Sequence, residues 1–235
     1  MTTTVVAVIP ALNEEDAIAG VVRRLLAELP QPATVCVVDN GSTDRTGVRA
    51  AEAGAQVVSE PRRGYGRACL AGVRAAGGAE VLLLLDGDGA DDTSAALTVL
   101  EPLLAERADL SVGARVAADR EAGSMTPQQL LGNRLAAAIL RRKYGLGVSD
   151  PGPMRAIRRE ALLTMAMSEM SYGWTIEMTA KAARLGLRYV EVPVAYRRRA
   201  GRSKVGGTLR GSVGAGISIL RSLWRCRNWE PVGSA

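Results

Sequence analysis

Apolar residues in this chain fall into short dense runs, separated by stretches in which they recur every three or four positions. The runs Val5–Ile9, Thr34–Val38, Gln56–Ser59, Val81–Leu85 and Asp109–Gly113 are too short for helices and mostly rich in β-branched residues or Leu, so each predicts a strand. Between the first two, Ile18, Val21, Val22, Leu25, Leu26 and Leu29 keep the spacing of a helix with one buried face, and Asn13 offers a cap with Asp16 three residues on. Similar patterns predict helices at Thr46–Ala53, Gly66–Ala76, Thr93–Glu106, Gln128–Tyr144, Arg159–Met167 and Thr175–Leu185. Strand and helix in alternation predict an α/β fold with a mostly parallel central sheet flanked by helices. Beyond Gly113 the periodicity loosens, and Ala117–Thr126 reads as a loop. Leu187–Val194 predicts a further strand. A last helix is expected over Leu209–Arg225, where Ile217, Leu220, Leu223 and Trp224 lie opposite or beside Arg221 and Arg225.

Composition narrows the class. With 235 residues, 47% of them hydrophobic, the chain suffices for one α/β domain with a full core; residues 1–208 are expected to form its body and 209–235 an amphipathic helix and tail of the same domain. No stretch reaches the roughly 18 apolar residues that span a bilayer, and the chain enters its first strand without a basic leader. A cytoplasmic protein, at most peripheral at the inner membrane face, is the expectation. Cys36, Cys69 and Cys226 are scattered and include no CxxC pair, so they read as reduced packing residues. There is no histidine, which excludes Ser-His-Asp and Cys-His machinery. Charge is uneven: residues 181–235 hold twelve Lys or Arg against Glu191 and Glu230, so the basic end calls for an anionic partner.

The chemistry concentrates where the fourth strand ends. Val81–Leu85 runs into Asp86-Gly87-Asp88, two carboxylates one residue apart at a strand's carboxyl end, the edge at which open α/β sheets hold ligands. Without histidine, a metal here rests on oxygen ligands, which suit Mg2+ or Mn2+, and a diphosphate is the natural companion. The intervening glycine lets the backbone approach that ligand. An EF-hand starting at Asp86 fails at Ala90, Asp91 and Leu97; Gly64-Tyr-Gly66 is half of a dinucleotide fingerprint, and Walker A is absent. An aspartyl-phosphate mechanism with Asp86 as nucleophile is the enzyme alternative. Two more strand tips carry polar groups: Pro10-Ala11-Leu12-Asn13-Glu14, and Asp39-Asn40-Gly41-Ser42-Thr43-Asp44. Each is either a nucleoside-binding edge or ordinary turn chemistry.

In order along the chain stand Pro10-Ala-Leu-Asn-Glu14, Val38-Asp-Asn-Gly-Ser-Thr-Asp44, Asp86-Gly-Asp88, Gly113-Ala-Arg115, Asp150-Pro-Gly-Pro-Met-Arg155, Tyr172-Gly-Trp-Thr-Ile-Glu177 and Arg199-Ala-Gly-Arg-Ser-Lys204. This series resembles glycosyltransferase family 2, and within it the dolichyl-phosphate (polyprenyl-phosphate) mannose or glucose synthase-like branch, over roughly residues 4–225. The resemblance implies a GT-A, Rossmann-like fold, a UDP- or GDP-hexose donor, Mg2+ or Mn2+, and inverting transfer to a lipid phosphate. On matching positions, Pro10, Ala11, Asn13 and Glu14 would line the nucleoside pocket and Asp39 would meet the base. Asp86 and Asp88 would hold the metal, and Arg115, Arg199, Ser203 and Lys204 would neutralise phosphates. Glu177 would orient the sugar or serve as base for a hydroxyl acceptor; alternatively it is a carboxylate favoured by a helix N-terminus. The chain departs from the branch at Gly89-Ala90, where Leu-Gln is common, and at Asn40, where a second Asp is frequent.

The alternatives are a transferase acting on a soluble hydroxyl acceptor and a nucleotide-sugar binding protein without turnover. For the basic end, nucleic acid finds few stacking platforms in a chain with 3% aromatic residues, so no nucleic-acid partner is expected. An anionic bilayer fits better, through Arg197–Lys204 and a helix whose Trp224 faces either lipid or the core.

Overall fold

The computed structural model describes residues 3–199 and 209–230. Its strands are β1 (Val5–Ala11), β2 (Ala33–Asp39), β3 (Gln56–Ser59), β4 (Val81–Leu84), β5 (Leu110–Arg120), β6 (Arg155–Arg158) and β7 (Tyr189–Tyr196). Its helices are α1 (Ile18–Glu28), α2 (Thr46–Glu52), α3 (Tyr65–Ala75), α4 (Ala96–Leu104), α5 (Pro127–Tyr144), α6 (Arg159–Thr164), α7 (Trp174–Arg184) and α8 (Leu209–Arg225).

The seven strands form one sheet in the order β3-β2-β1-β4-β6-β5-β7. All neighbours are parallel except β6, which runs antiparallel to both β4 and β5. The central strands are apolar throughout because both faces are covered. Val5, Ala7, Ile9, Val81, Leu83 and Leu85 pack with α1 and α4, while Val6, Val8, Leu82 and Leu84 pack with α3, α6 and α7. Helix α3 lies close on the sheet because Gly72 has no side chain: a Cβ there would stand 2.3 Å from Val8 Cγ1. A third cluster joins α5, α7 and α8 through Ala136, Ala137, Leu140, Ile176, Ala180, Leu223 and Cys226.

Three expectations are corrected. The segment from Ala117 does not all loop, since β5 continues to Arg120 and pairs with β7 as far as Arg120 opposite Tyr196. The register shifts between Arg115 and Arg120, which breaks the two-residue alternation that marks a strand in sequence. Arg155–Arg158, where the apolar pattern marks no element, is the strand β6; its fully buried Arg155 disguises it, the guanidinium being held by the Thr175 carbonyl at 3.1 Å and by the Gly152 carbonyl. Asn13 does not cap α1, which starts at Ile18 after an Ala17 that makes no side-chain cap. Asn13 adopts a left-handed backbone, and its side chain accepts the Thr43 N–H at 2.8 Å, joining two loops at the sheet edge.

Candidate functional site

Strand order reverses at β1: the chain steps outward from β1 through β2 to β3, then crosses back to place β4 on the other side. A crevice opens at the carboxyl ends of the strands on either side of such a switch. Here it is a cleft of about 500 Å³, with Pro10, Ala11, Leu12, Asn13 and Glu14 on one wall and Asp86, Gly87 and Asp88 on its floor. Arg115, Pro151, Pro153, Tyr196 and Arg199 line the far side.

Loops are braced to hold that shape. The Asn13 N–H donates to Ser42 Oγ at 3.0 Å and the Glu14 N–H to Thr46 Oγ1 at 2.7 Å, tying the end of β1 to the β2–α2 turn. Asn40 is buried and donates through Nδ2 to the Glu60 and Arg62 carbonyls at 2.8 and 2.9 Å, while its Oδ1 accepts the Gly64 N–H at 2.8 Å. This explains the departure from Asp at this position: two carbonyls facing the side chain need an N–H donor that an ionised carboxylate lacks. The clamp sets Arg63, Gly64 and Tyr65 in the cleft wall. Asp39 does not line the cleft; its Oδ1 accepts the Ser42 N–H at 2.9 Å.

The floor gathers negative charge. Asp88 Oδ1 accepts the Ala90 N–H at 2.9 Å, and its other oxygen pairs with Arg199 at 3.0 Å. Asp86 Oδ1 is buried with no hydrogen-bond partner among the described residues. Burial first, and Asp88 beside it second, push the Asp86 carboxyl up from 3.8 to about 6. Behind them sits a carboxylate that sequence reasoning passed over. Asp91 is buried, accepts the Asp86 N–H at 3.2 Å, and is held well above its ordinary range by burial and then by Asp86 and Asp88. In sequence it stands out only as a position at which an EF-hand fails. Gly87 lines the cleft floor and also serves packing, since a Cβ there would meet Ile9 and Ile18 at 3.1 and 3.2 Å.

Positive charge faces this floor. Asp150 grips Arg115 in a two-point pair, at 2.6 Å to Nε and 2.8 Å to Nη2, and also accepts the Arg115 backbone N–H at 3.0 Å. Although burial opposes its charge, this pairing holds the Arg115 guanidinium above its usual value, and it lies 5.0 Å over the Tyr196 ring. Asn133 donates to Asp150 at 3.0 Å and completes the support. Asp150 reaches Arg115 because the Pro151-Gly152-Pro153 turn presses on β5: a Cβ on Gly152 would stand 2.3 Å from the Gly113 carbonyl oxygen. The Asp-Pro-Gly-Pro motif is visible in sequence, but its partner 35 residues away is not.

Glu177 is placed elsewhere. It is buried outside the cleft lining, accepting Ser168 and Glu169 N–H groups at 2.8 to 3.2 Å and pairing with buried Lys181 at 2.8 Å. Lys181 also donates to the Met165 and Ala166 carbonyls. The pair closes the turn after α6, so of the roles weighed for Glu177 the geometry supplies the structural one. The structure thus brings together Pro10, Ala11, Asn13, Glu14, Asp86, Asp88, Arg115 and Arg199, and sets Asp39 and Glu177 apart. Ser203 and Lys204 lie outside the described residues.

Comparison with known proteins gives consistent matches. The family model described as glycosyl transferase family 2 matches residues 6–165. An uncharacterised glycosyltransferase of Mycobacterium tuberculosis is 42% identical over 223 residues, which cover 94% of this chain and 96% of that protein. The undecaprenyl-phosphate mannosyltransferase of Micrococcus luteus is 30% identical over 239 residues, covering 96% of each. Among solved structures, glucosyl-3-phosphoglycerate synthase from Mycobacterium tuberculosis, in complex with Mn2+ and UDP-glucose, matches with a TM-score of 0.76 and 25% identity, covering 98% of this chain and 81% of that one.

Proposed function

The chain belongs to glycosyl transferase family 2, and from that premise we propose that it is a metal-dependent, inverting hexosyltransferase that moves a hexose from a UDP- or GDP-sugar to a polyprenyl phosphate. The observation that carries this reading is the floor of the cleft, where Asp86 and Asp88 face Arg115 and Arg199 at the switch point of the sheet. A divalent cation fits the unpartnered Asp86 oxygen and the mutual repulsion of the two carboxylates. Among the described residues no three acidic or Cys side chains converge to hold a metal, so the donor's phosphates and water would complete the coordination, as suits Mg2+ or Mn2+. When bound, the metal supplies electrophilic stabilisation of the leaving diphosphate.

The chain's own residues supply the rest. As the bond from the anomeric carbon to the diphosphate breaks, negative charge grows on the leaving oxygen, and Arg115, pre-set by Asp150, faces it without reorganising. Arg199 pairs with Asp88 in the structure; with Asp88 engaged in holding a cation, its guanidinium would be available to the diphosphate. Ser203 and Lys204, which follow it in sequence and lie outside the described residues, would extend the phosphate contacts as the family resemblance implies. The β1 segment Pro10–Glu14 borders the nucleoside end, with Asp39 behind it. A phosphate acceptor is already an anionic nucleophile and attacks the anomeric carbon without a base, in keeping with a chain that has no histidine and a Glu177 turned away. The relative from Micrococcus luteus supports the polyprenyl phosphate.

A second reading, a soluble acceptor, is favoured by the likeness to glucosyl-3-phosphoglycerate synthase. The test is sugar transfer from UDP-glucose and GDP-mannose, with Mn2+, to undecaprenyl phosphate or to phosphoglyceric acid. We expect product on the lipid phosphate and its loss in Asp88→Asn, with folding retained. Unchanged turnover by Asp88→Asn contradicts the site. Product only on the soluble acceptor contradicts the lipid assignment alone.

A further inference from the structure

Helix α8 is built inside out. Its inward positions carry Ser218 and Ser222, both buried, while Ile217, Leu220 and Trp224 stand on its outer side, Trp224 being 74% exposed. The spacing 217, 220, 221, 224 is one helical stripe, so these residues share a face with Arg221. The serines are not misplaced. Ser218 Oγ lies 2.8 Å from Ser171 Oγ and accepts the Gly173 N–H at 3.1 Å, and Ser222 donates to Glu169 at 3.2 Å. These bonds fix the rotation of the helix and hold its apolar stripe in solvent.

The neighbouring helix repeats the arrangement. Tyr144 of α5 donates to the Leu223 carbonyl of α8 at 3.2 Å, and the two helices share an inner cluster of Ala136, Ala137, Leu140, Leu223 and Cys226. On its outer side α5 exposes Leu131 and Leu135, one turn apart, 70% and 56% exposed. Neither helix contains a single acidic residue. Their charges are Arg134, Arg141, Arg142 and Lys143 on α5, and Arg210, Arg221 and Arg225 on α8. Large exposed apolar side chains accompanied on the same helices only by basic ones, of which Arg225 pairs with Glu169 at 4.0 Å, form an interfacial pattern, in which the apolar groups enter the acyl boundary and the remaining cations meet anionic headgroups.

The two helices also border the cleft. Gln129 in the first turn of α5 lines it, and so does Tyr172, which lies between the two residues that Ser218 of α8 contacts. We infer that the outer faces of α5 and α8 form a docking surface for an anionic lipid bilayer, which brings the mouth of the cleft to the headgroup layer. The choice of a bilayer over a second copy of the chain follows from charge. A symmetric pairing of this face would set basic rims against each other with no acidic residue on either helix to answer them. The inference deepens the lipid-phosphate reading by naming the surface that would deliver such an acceptor, but docking is measurable without turnover.

The full chain is sedimented with vesicles of phosphatidylcholine alone and of phosphatidylcholine mixed with phosphatidylglycerol, while Trp fluorescence is recorded. We expect binding to the anionic vesicles, weakened by salt, with a blue shift that is absent in Trp224→Ser. Leu220→Ser/Trp224→Ser should reduce binding on the order of tenfold or more, because the most exposed aromatic side chain and its neighbour in the stripe are gone. Arg142→Glu/Arg221→Glu should abolish the preference for anionic lipid. These side chains are exposed, so the melting temperature and the binding of UDP- or GDP-sugar with Mn2+ should stay at wild-type values. Absence of binding to anionic vesicles, or equal binding by the Leu220/Trp224 variant, overturns the inference. So does a concentration-dependent dimer in light scattering that the same substitutions dissolve. Loss of sugar transfer with vesicle binding intact would count against the proposed function and leave the docking surface standing.

Discussion

At the scale of single residues, the site depends on carboxylates with opposite fates. Asp150 engages the Arg115 guanidinium through both oxygens, so its task is to aim a cation. Asp150→Asn keeps the shape but loses the charge and one acceptor; we expect the rate of transfer to fall by roughly 10- to 100-fold with donor affinity less affected, read as a split between kcat and KM. Asp86 is the reverse case, a carboxyl whose folded value near 6 lies above its ordinary 3.8. A folded state that holds a proton more tightly than the unfolded state loses stability as pH rises across that window. The metal-free protein is therefore disfavoured above about pH 6 by a charge that a bound cation would answer. Glu177 belongs to neither group. Glu177→Gln leaves the buried Lys181 ammonium without its counter-charge, and we expect a loss of about 3–5 kcal/mol in a denaturant titration, with turnover per folded molecule retained. Loss of turnover at unchanged stability would return Glu177 to the chemistry.

At the scale of elements, what the sequence made legible was what local pattern encodes. The parallel strands β1 to β4 and the helices between them follow from apolar periodicity, because both faces of those strands are covered and α1 has a single buried stripe. What local pattern did not encode was pairing at a distance. Strand β6 hides a buried arginine whose partners lie on other elements, and the end of β5 is a strand only because β7 runs alongside it. The site shows the same division. Asp86 and Asp88 announce themselves by position at a strand's end, and the order of motifs supplied Arg115 and Arg199. Asp91, Asn40, Tyr65 and the hold of Asp150 on Arg115 emerge only when loops from separate parts of the chain meet. Trp224 was open between core and surface because an amphipathic stripe does not say which side is inward. The hydrogen bonds of Ser218 and Ser222 decide it.

For the whole molecule, the fold sets a negatively charged floor between the Pro10–Glu14 wall and a basic rim, and places two acid-free helices beside the opening. Among the described residues no helix is long and apolar enough to cross a membrane. On the readings proposed above, the C-terminal charge excess serves the phosphates of donor and acceptor and the lipid headgroups. The central claim is that this cleft binds a nucleotide sugar through a divalent cation held by Asp86 and Asp88. Its most direct test is the melting temperature of the protein with a panel of UDP- and GDP-sugars, each with Mn2+ or with EDTA, at pH 7.5 and at pH 5. Ligand that binds only the folded state raises stability by mass action. We expect one nucleoside class to raise the melting temperature in the presence of Mn2+, the rise to vanish with EDTA, and the Mn2+ effect to shrink at pH 5 as Asp86 takes up its proton. Equal stabilisation with Mn2+ and with EDTA, or none from any donor at either pH, would contradict the account.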